Sequence, residues 1–263
     1  MIYNEKAIVI STKEIAFNTY ETKLQSPQIA NSARPGQFIN ILPSIDWNNI
    51  MRRPMSISSQ ENDKIGIIFK VVGEGTEIMK NWEINDEIDI IGPLGNYWSN
   101  YKDFLPILIG GGVGIAPIIN LHNMLNKIGV GHSLIMGAQT KKDHFIEHKP
   151  NDKIYISTDD GSLGISGNVI DVLKVIDMNK NIKIFGCGPP VMMEALKEYA
   201  NINNIKCDLA LESIMACGFG VCQGCSLELI QNYDKKHSYR NKFSLICMDG
   251  PIFDAKKIKT CHI

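Results

Sequence analysis

Leu105-Pro-Ile-Leu-Ile-Gly110-Gly-Gly112-Val-Gly114-Ile-Ala-Pro117 decides the fold: an apolar strand breaks into a glycine turn, and a helix opens with proline near its first turn. The same unit recurs downstream. Ile107 to Ile109 precedes a helical Pro117 to Lys127, Leu134 to Met136 supplies a strand, and Ile154 to Ser157 precedes a helical Val169 to Val175. Ile182 to Phe185 then passes through Gly186-Cys187-Gly188-Pro189-Pro190 into a helix from Val191 to Ala200, and Cys207 to Leu211 is one more strand. Strands alternating with helices predict a parallel, doubly wound α/β sheet. Upstream the pattern differs. Short apolar runs at Ala7 to Ile10, Phe38 to Leu42, Ile65 to Val72 and Ile88 to Ile91 are separated by Pro35-Gly36, Pro43, Gly73, Gly75 and Gly92-Pro93. Only Thr76 to Trp82 looks helical there, so a small antiparallel β-barrel is expected. The expected division is a barrel domain over 1–101, an α/β domain over 102–211 and a small tail over 212–263, too short to fold without a staple.

The glycine turn at 110–114 frees backbone amides at a helix start, which suits the phosphates of a dinucleotide, so Gly110, Gly111, Gly112 and Gly114 are candidate ligands. Ile115 stands where the Rossmann fingerprint has its third glycine, which disfavours a standard dehydrogenase. A tight turn alone would also use these glycines. Cys187, Gly188 and Pro189 lie at a strand's carboxyl end, where open parallel sheets bind ligands, and Cys187 either faces a nicotinamide or is a small core residue. Thr158-Asp159-Asp160-Gly161 is a further strand-end loop, whose carboxylates would repel a 2′-phosphate and favour NAD over NADP. A helix-capping turn is the plainer reading. In the barrel, Arg53, Pro54, Met55 and Ser56 offer a guanidinium fork for a pyrophosphate, a fixed φ and a hydroxyl for a ring heteroatom. The strand end Lys70-Val71-Val72 leads into Gly73-Glu-Gly75-Thr76, a second phosphate-suited feature, and the two together favour a flavin dinucleotide. His144 and His148 stand at i, i+4 as a helical pair, read as solvated for want of further ligands.

Cys217-Gly-Phe-Gly-Val-Cys222-Gln-Gly-Cys225, with Cys247 beyond a further twenty-one intervening residues, has the C-x4-C-x2-C spacing and distant fourth cysteine of a plant-type [2Fe-2S] cluster. Three thiolates converging from one loop need a tightly folded backbone, and Gly218, Gly220 and Gly224 permit positive φ and close approach. Zinc usually takes two C-x2-C or C-x2-H pairs, and only one is present; zinc and a redox disulfide remain the alternatives. For the fourth ligand Cys207 and Cys261 compete with Cys247. Cys247 is favoured by the Asp249-Gly250-Pro251 turn behind it, which returns the chain to the loop, leaving Cys261 as a free terminal thiol.

The chain has 263 residues, a formal net charge of -1 and seven cysteines, with 44% hydrophobic composition. Such a balance carries no field for a polyanion, so no nucleic-acid or acidic-membrane partner is expected. No basic and apolar leader follows Met1, and Leu105 to Ile119 is broken by four glycines and two prolines, so neither a secretory signal nor a membrane span is expected. An odd number of cysteines gathered in glycine-rich loops fits thiolate ligands in a reducing, cytoplasmic compartment.

Taken together, Arg53-Pro-Met-Ser56, Gly92-Pro-Leu-Gly95-Asn96, the 110–117 turn, Gly186-Cys-Gly-Pro189 and the cysteine loop resemble the ferredoxin-NADP reductase superfamily over nearly the full chain. Leu211 to Cys225, Cys247-Met-Asp-Gly-Pro-Ile-Phe253 and Thr158-Asp-Asp-Gly-Ser-Leu-Gly164 are similar to the electron transfer subunits of class 1B dihydroorotate dehydrogenase. The resemblance implies FAD in the barrel, NAD on the parallel sheet and a [2Fe-2S] cluster in the tail. It also implies a partner, an FMN-containing dihydroorotate dehydrogenase catalytic subunit in a heterotetramer of two of each. The chain itself would then have no catalytic base, passing electrons from that FMN through the cluster and FAD to NAD+. A diaphorase subunit of a hydrogenase, sulfur reductase or ferredoxin-linked transhydrogenase is the alternative, and a zinc-stapled binding module the non-enzymatic one. Two departures stand out: the chain lacks a terminal aromatic residue to stack on the flavin, and Ile214 replaces an expected basic residue.

Overall fold

The computed structural model describes residues 1–46, 51–176, 181–230 and 242–262, so most of the polar segment from Gln231 to Lys242 lies outside the described residues. Six antiparallel strands close into a barrel: β1 (Tyr3–Ala16), β2 (Thr19–Gln25), β3 (Phe38–Ile41), β4 (Arg53–Glu61), β5 (Lys64–Lys70) and β6 (Glu87–Leu94), in the order β1-β2-β5-β4-β3-β6. Alternation along each strand fills it. Val9, Leu24, Ile39, Ile41, Ile57, Ile65, Ile67 and Ile90 point inward and are all buried. Tight hairpins join β1 to β2 and β4 to β5 through Asn18 (φ 52°) and Asn62 (φ 53°), in the left-handed region that asparagine tolerates best after glycine. Two short helices flank the barrel, α1 (Pro27–Ser32) and α2 (Glu74–Lys80). Strand β2 and helix α1 are absent from the sequence-based expectation, because Thr-Tyr-Glu-Thr-Lys-Leu-Gln carries few apolar residues and α1 spans under two turns.

The second body is a seven-stranded sheet in the order β10-β9-β8-β7-β11-β12-β15, built from β7 (Leu105–Gly111), β8 (Ser133–Ala138), β9 (Ile154–Thr158), β10 (Ile165–Ser166), β11 (Ile182–Cys187), β12 (Lys206–Ala210) and β15 (Ile252–Asp254). All neighbours are parallel except β15, which runs antiparallel to β12. Helices α3 (Ile115–Lys127), α4 (Val169–Val175) and α5 (Pro190–Ile202) cover it on both faces. Within β7, Leu108 packs with Ile115, Ile118, Leu121 and Leu125 of α3, whereas Ile107 and Ile109 face the side holding α4, α5 and the tail. Strand order reverses between β7 and β11. Their carboxyl ends therefore open the crevice where such sheets bind ligands.

The tail adds a small pair, β13 (Ser226–Glu228) with β14 (Phe243–Leu245), before ending as β15. It is thus the edge of the nucleotide sheet as well as a carrier of cysteines. A three-residue strand is below what periodicity can detect, which is why the sequence does not reveal it. The barrel and sheet meet along α3 and β4, where the buried Asn120 Nδ2 donates to Ile57 O at 3.0 Å. Among the described residues no helix is long and apolar enough to cross a membrane.

Candidate functional site

Four of the seven cysteines come together, and they do so two by two. Cys217 Sγ lies 3.4 Å from Cys222 Sγ, while the Cys247 thiol hydrogen-bonds Cys225 and also feels the charge of Cys217. A tetrahedral metal with bonds of about 2.3 Å separates two of its sulfurs by roughly 3.8 Å, so Cys217 and Cys222 are close enough to share one metal. Among the described residues no three His, Cys, Asp or Glu side chains surround the position of a single ion. Gly218 (φ 80°) and Gly220 (φ 86°) provide the left-handed turns, but the third is made by Gln223 (φ 57°) rather than by Gly224. Gly224 serves through closeness instead: its amide points at Cys222 Sγ from 3.5 Å. Cys222 N donates to Cys217 Sγ at 3.4 Å and Cys247 N to Cys225 Sγ at 3.5 Å. At Cys217 burial alone would raise the thiol, yet the amides of Cys222, Phe219 and Val221 and the Cys222 thiol bring it down to about 7. Cys247 goes the other way, pushed up to about 12 by burial and then by the Cys225 thiol.

The competing cysteines lie elsewhere. Cys207 sits on β12, and Cys261 is a free but buried thiol whose amide donates to Glu194 Oε1 on α5 at 2.6 Å. What returns Cys247 to the loop is Asn96. Its Nδ2 donates to Asp249 O and Ile252 O, both at 2.8 Å, and its Oδ1 accepts from Ile252 N at 3.0 Å. One side chain at the barrel's exit thereby pins both ends of the Asp249-Gly250-Pro251 turn.

A cleft of about 260 Å³ opens between barrel, sheet and tail. Of the expected flavin ligands, Pro54, Met55, Ser56, Lys70, Val72 and Thr76 line it. Arg53 stands beside α2, its Nε 3.0 Å from where a β-carbon on Gly75 would be, and Val71 packs on the barrel core. Arg52 pairs with Asp89, so the two arginines do not act as one fork. Thr76 Oγ1 accepts from Val72 N and Gly73 N and donates to Gly73 O, so these two amides are held by the turn. The opposite wall comes from Leu211, Glu212, Ser213 and Met215, which precede Cys217, and from Pro251, which follows Cys247. Ser213 Oγ is buried without a hydrogen-bond partner among the described residues. Apolar walls of Phe38, Met55, Val113 and Met215 with hydroxyls at Ser56 and Ser213 suit a conjugated planar ring with a polar edge. FAD is such a molecule, and the residues present fit it. Ser213 and Glu212 are absent from the sequence-based site; their signal was position, directly after an apolar strand's carboxyl end.

At the switch point the two glycine turns touch backbone to backbone. A β-carbon on Gly114 would lie 2.6 Å from Cys187 O and from Gly188 N and Cα, and one on Gly111 would lie 2.9 Å from Pro189 Cδ. Gly110 is closed similarly by Ile115. Gly112 (φ 52°) has nothing within 4 Å, so it alone of the four faces open space. Packing thus accounts for three of these glycines, and conformation plus accessibility for the fourth. Cys187 is 1% exposed, its thiol raised well above the usual range by burial and then by Glu212, whose Oε1 is 4.0 Å from Sγ.

Two expectations are corrected. The Thr158 to Gly161 loop does not cap a helix: Thr158 Oγ1 bonds Leu163 N and O, Asp160 Oδ1 accepts from Ser162, and α4 is capped by Asn168. Nor do His144 and His148 form a solvated helical pair. His144 Nε2 contacts Ser157 O at 3.0 Å and His148 Nδ1 accepts from Ile156 N at 3.0 Å, so both fasten an irregular segment to β9.

A family model described as the iron-sulfur cluster binding domain of dihydroorotate dehydrogenase B matches residues 212–259. The chain is 34% identical to the dihydroorotate dehydrogenase B (NAD(+)) electron transfer subunit of Fusobacterium nucleatum, over 97% of this chain and 98% of that one. It is 32% identical to the protein of the same name from Caldanaerobacter subterraneus, covering 98% and 99%. Among solved structures, one of an NADH-dependent reduced ferredoxin-NADP oxidoreductase, described in terms of flavin-based electron bifurcation, superposes with a TM-score of 0.83 at 26% identity, covering 97% of this chain and 90% of that one. The ferredoxin reductase of carbazole 1,9a-dioxygenase shares the fold at 18% identity, with a TM-score of 0.64 over 78% of this chain and 66% of that one.

Proposed function

The chain belongs to the family of dihydroorotate dehydrogenase B electron transfer subunits, and we propose that its cysteine quartet and its cleft are the two stations of one electron route. As a member it is an oxidoreductase subunit that takes electrons derived from dihydroorotate in a catalytic partner and delivers them to NAD+ by way of iron-sulfur and FAD. When bound, FAD supplies the exchange between one-electron and two-electron carriers that joins a cluster to a nicotinamide.

One observation carries the route: the wall of the cleft and the cysteine ligands belong to the same short stretches of backbone. Met215 is two residues from Cys217, and Pro251 is four from Cys247. We assign the cluster to Cys217, Cys222, Cys225 and Cys247. Ser56 and Ser213 hold the polar edge of the flavin, and Arg53 and Gly75 take its phosphates. The nicotinamide dinucleotide enters over Gly112, between the turns at 110–114 and 187–189, with Cys187 below it as a buried, protonated thiol. Asp159 and Asp160, at the carboxyl end of β9, favour NAD over its 2′-phosphorylated form.

The partner is an FMN-bearing catalytic subunit, in a complex of two of each. Cys222 is exposed, and around the loop Ile214 (81%), Val221 (73%), Met248 (51%) and Phe219 (42%) present apolar surface to solvent. Large exposed apolar side chains gathered at one place mark an interaction surface. In this reading Ile214 belongs to that interface, which explains an apolar residue where a basic one was expected. The greater identity to the electron transfer subunits, 34% against 26% for the ferredoxin-NADP oxidoreductase, favours this partner over that of a diaphorase.

The complex purified with its catalytic partner should be coloured, should contain iron and acid-labile sulfide, and should reduce NAD+ with dihydroorotate. Cys222→Ser should lose cluster absorption and that activity while NADH still reduces the flavin. A colourless, zinc-containing protein, or full activity in Cys222→Ser, would overturn the assignment.

A further inference from the structure

Asn40 is fully buried in the middle of β3, between Ile39 and Ile41, whose side chains fill the barrel. It points to the opposite face, the one shared with Phe38, which lines the flavin cleft and packs against the tail. There its Nδ2 donates to Cys217 O at 3.0 Å, across 177 positions of sequence. The next residue is laid directly on the same amide: a β-carbon on Gly218 would stand 2.3 Å from Asn40 Nδ2. On its backbone side Asn40 is in register with Pro54 of the flavin motif. Its Oδ1 is buried with no hydrogen-bond partner among the described residues.

A buried amide that leaves its oxygen without a hydrogen bond weakens the fold compared with an apolar residue of like shape. Core packing therefore does not explain it. Its side-chain hydrogen bond to Cys217 O fixes the peptide plane between the first cluster cysteine and Gly218, and it does so from the strand that neighbours the flavin motif. We propose that Asn40 is a positioning residue for electron transfer, holding the cluster's first ligand at a set distance and orientation from the flavin site and donating partial positive charge beside it. This rests on the cluster assignment above. Donors near a cluster favour its reduced, more negative form, so losing this one disfavours reduction.

The test uses the complete complex with its catalytic partner. Asn40→Leu removes donor and acceptor at similar size. It should keep wild-type iron, sulfide and FAD contents but lower the cluster's reduction equilibrium constant five- to tenfold, tenfold being about 59 mV for a one-electron couple. The low-temperature EPR signal of the reduced cluster should change with it. Unaltered potential and EPR signal in a fully loaded Asn40→Leu complex would overturn the proposal. If the leucine variant does not fold, Asn40→His, which keeps a donor, should stay near the wild-type potential while Asn40→Ala, which has none, shifts; identical potentials in those two would likewise refute it. A wild-type complex without labile sulfide is a separate outcome, which removes the cluster assignment itself.

Discussion

Replacing Asn96 by alanine should detach the Cys247 segment from the barrel without touching a cysteine. The side chain makes three hydrogen bonds, to Asp249 O, Ile252 O and Ile252 N, at 2.8, 2.8 and 3.0 Å. At about 1 kcal/mol net for each, with the exposed Asp249 contact counting least, the loss is roughly 2–3 kcal/mol. The backbone bond from Asn96 N to Gly250 O survives the substitution and limits the damage. For a chain of this size each kcal/mol moves the midpoint by about 2–4 °C, so a drop of about 5–10 °C is expected. Bleaching of the cluster's visible absorption should move further than the loss of far-ultraviolet circular dichroism, because the pinned turn adjoins Cys247, the proposed fourth ligand. Asn96→Asp should be worse than alanine, since it places an anionic oxygen against two carbonyls. A midpoint within about 1 °C of wild type for alanine, or an aspartate variant more stable than alanine, would refute the reasoning.

Three further outcomes follow. His132 Nδ1 donates to Val130 O, so its Nε2 accepts from His122 Nδ1 at 2.8 Å, leaving His122 Nε2 to accept from Asn126; the chain works only with both rings neutral. Burial, then His132, lowers His122 to about 4, so the stabilisation is complete above the unfolded value near 6.5 and disappears as pH falls from there towards 4. After discounting for partial exposure this amounts to about 1–2 kcal/mol, and urea midpoints measured from pH 7 to 4.5 should flatten in His122→Phe. Gly114→Ala forces a β-carbon to 2.6 Å from the Cys187–Gly188 backbone, so NADH-driven flavin reduction should fall at least tenfold with FAD content unchanged, which stopped-flow bleaching at 450 nm or so would register. The Lys70–Asp143 ion pair joins barrel to sheet at 3.1 Å but is partly exposed, so Asp143→Asn should cost no more than about 1 kcal/mol, and a thermal-melt comparison should show no difference at high salt.

Residues whose role is local were readable from the chain. The cysteine spacing, the glycine turns at 110–114 and 186–190 and the alternation of β7, α3 and β8 each express their geometry within a few residues, and the structure brings the four cysteines together and sets both turns at strand carboxyl ends. Residues whose role depends on distant partners were not. Asn40 differs from its apolar neighbours only by being polar, and nothing nearby in sequence says that it faces Cys217. His144 and His148 have helical spacing, yet backbone groups of β9 hold them. Gly224 was expected to supply a positive φ that Gln223 adopts instead, because either residue can end the same turn when a neighbouring glycine allows close approach. Strand β15 was invisible since three residues carry no period, and its place on β12 depends on the turn that Asn96 secures.

That last strand has a consequence for how the protein fares when iron is scarce. Five positions after Cys247, the chain shields the outermost backbone groups of β12. If the metal is missing and the segment swings free, a row of unsatisfied amides and carbonyls is laid bare, the kind of surface on which one copy templates another.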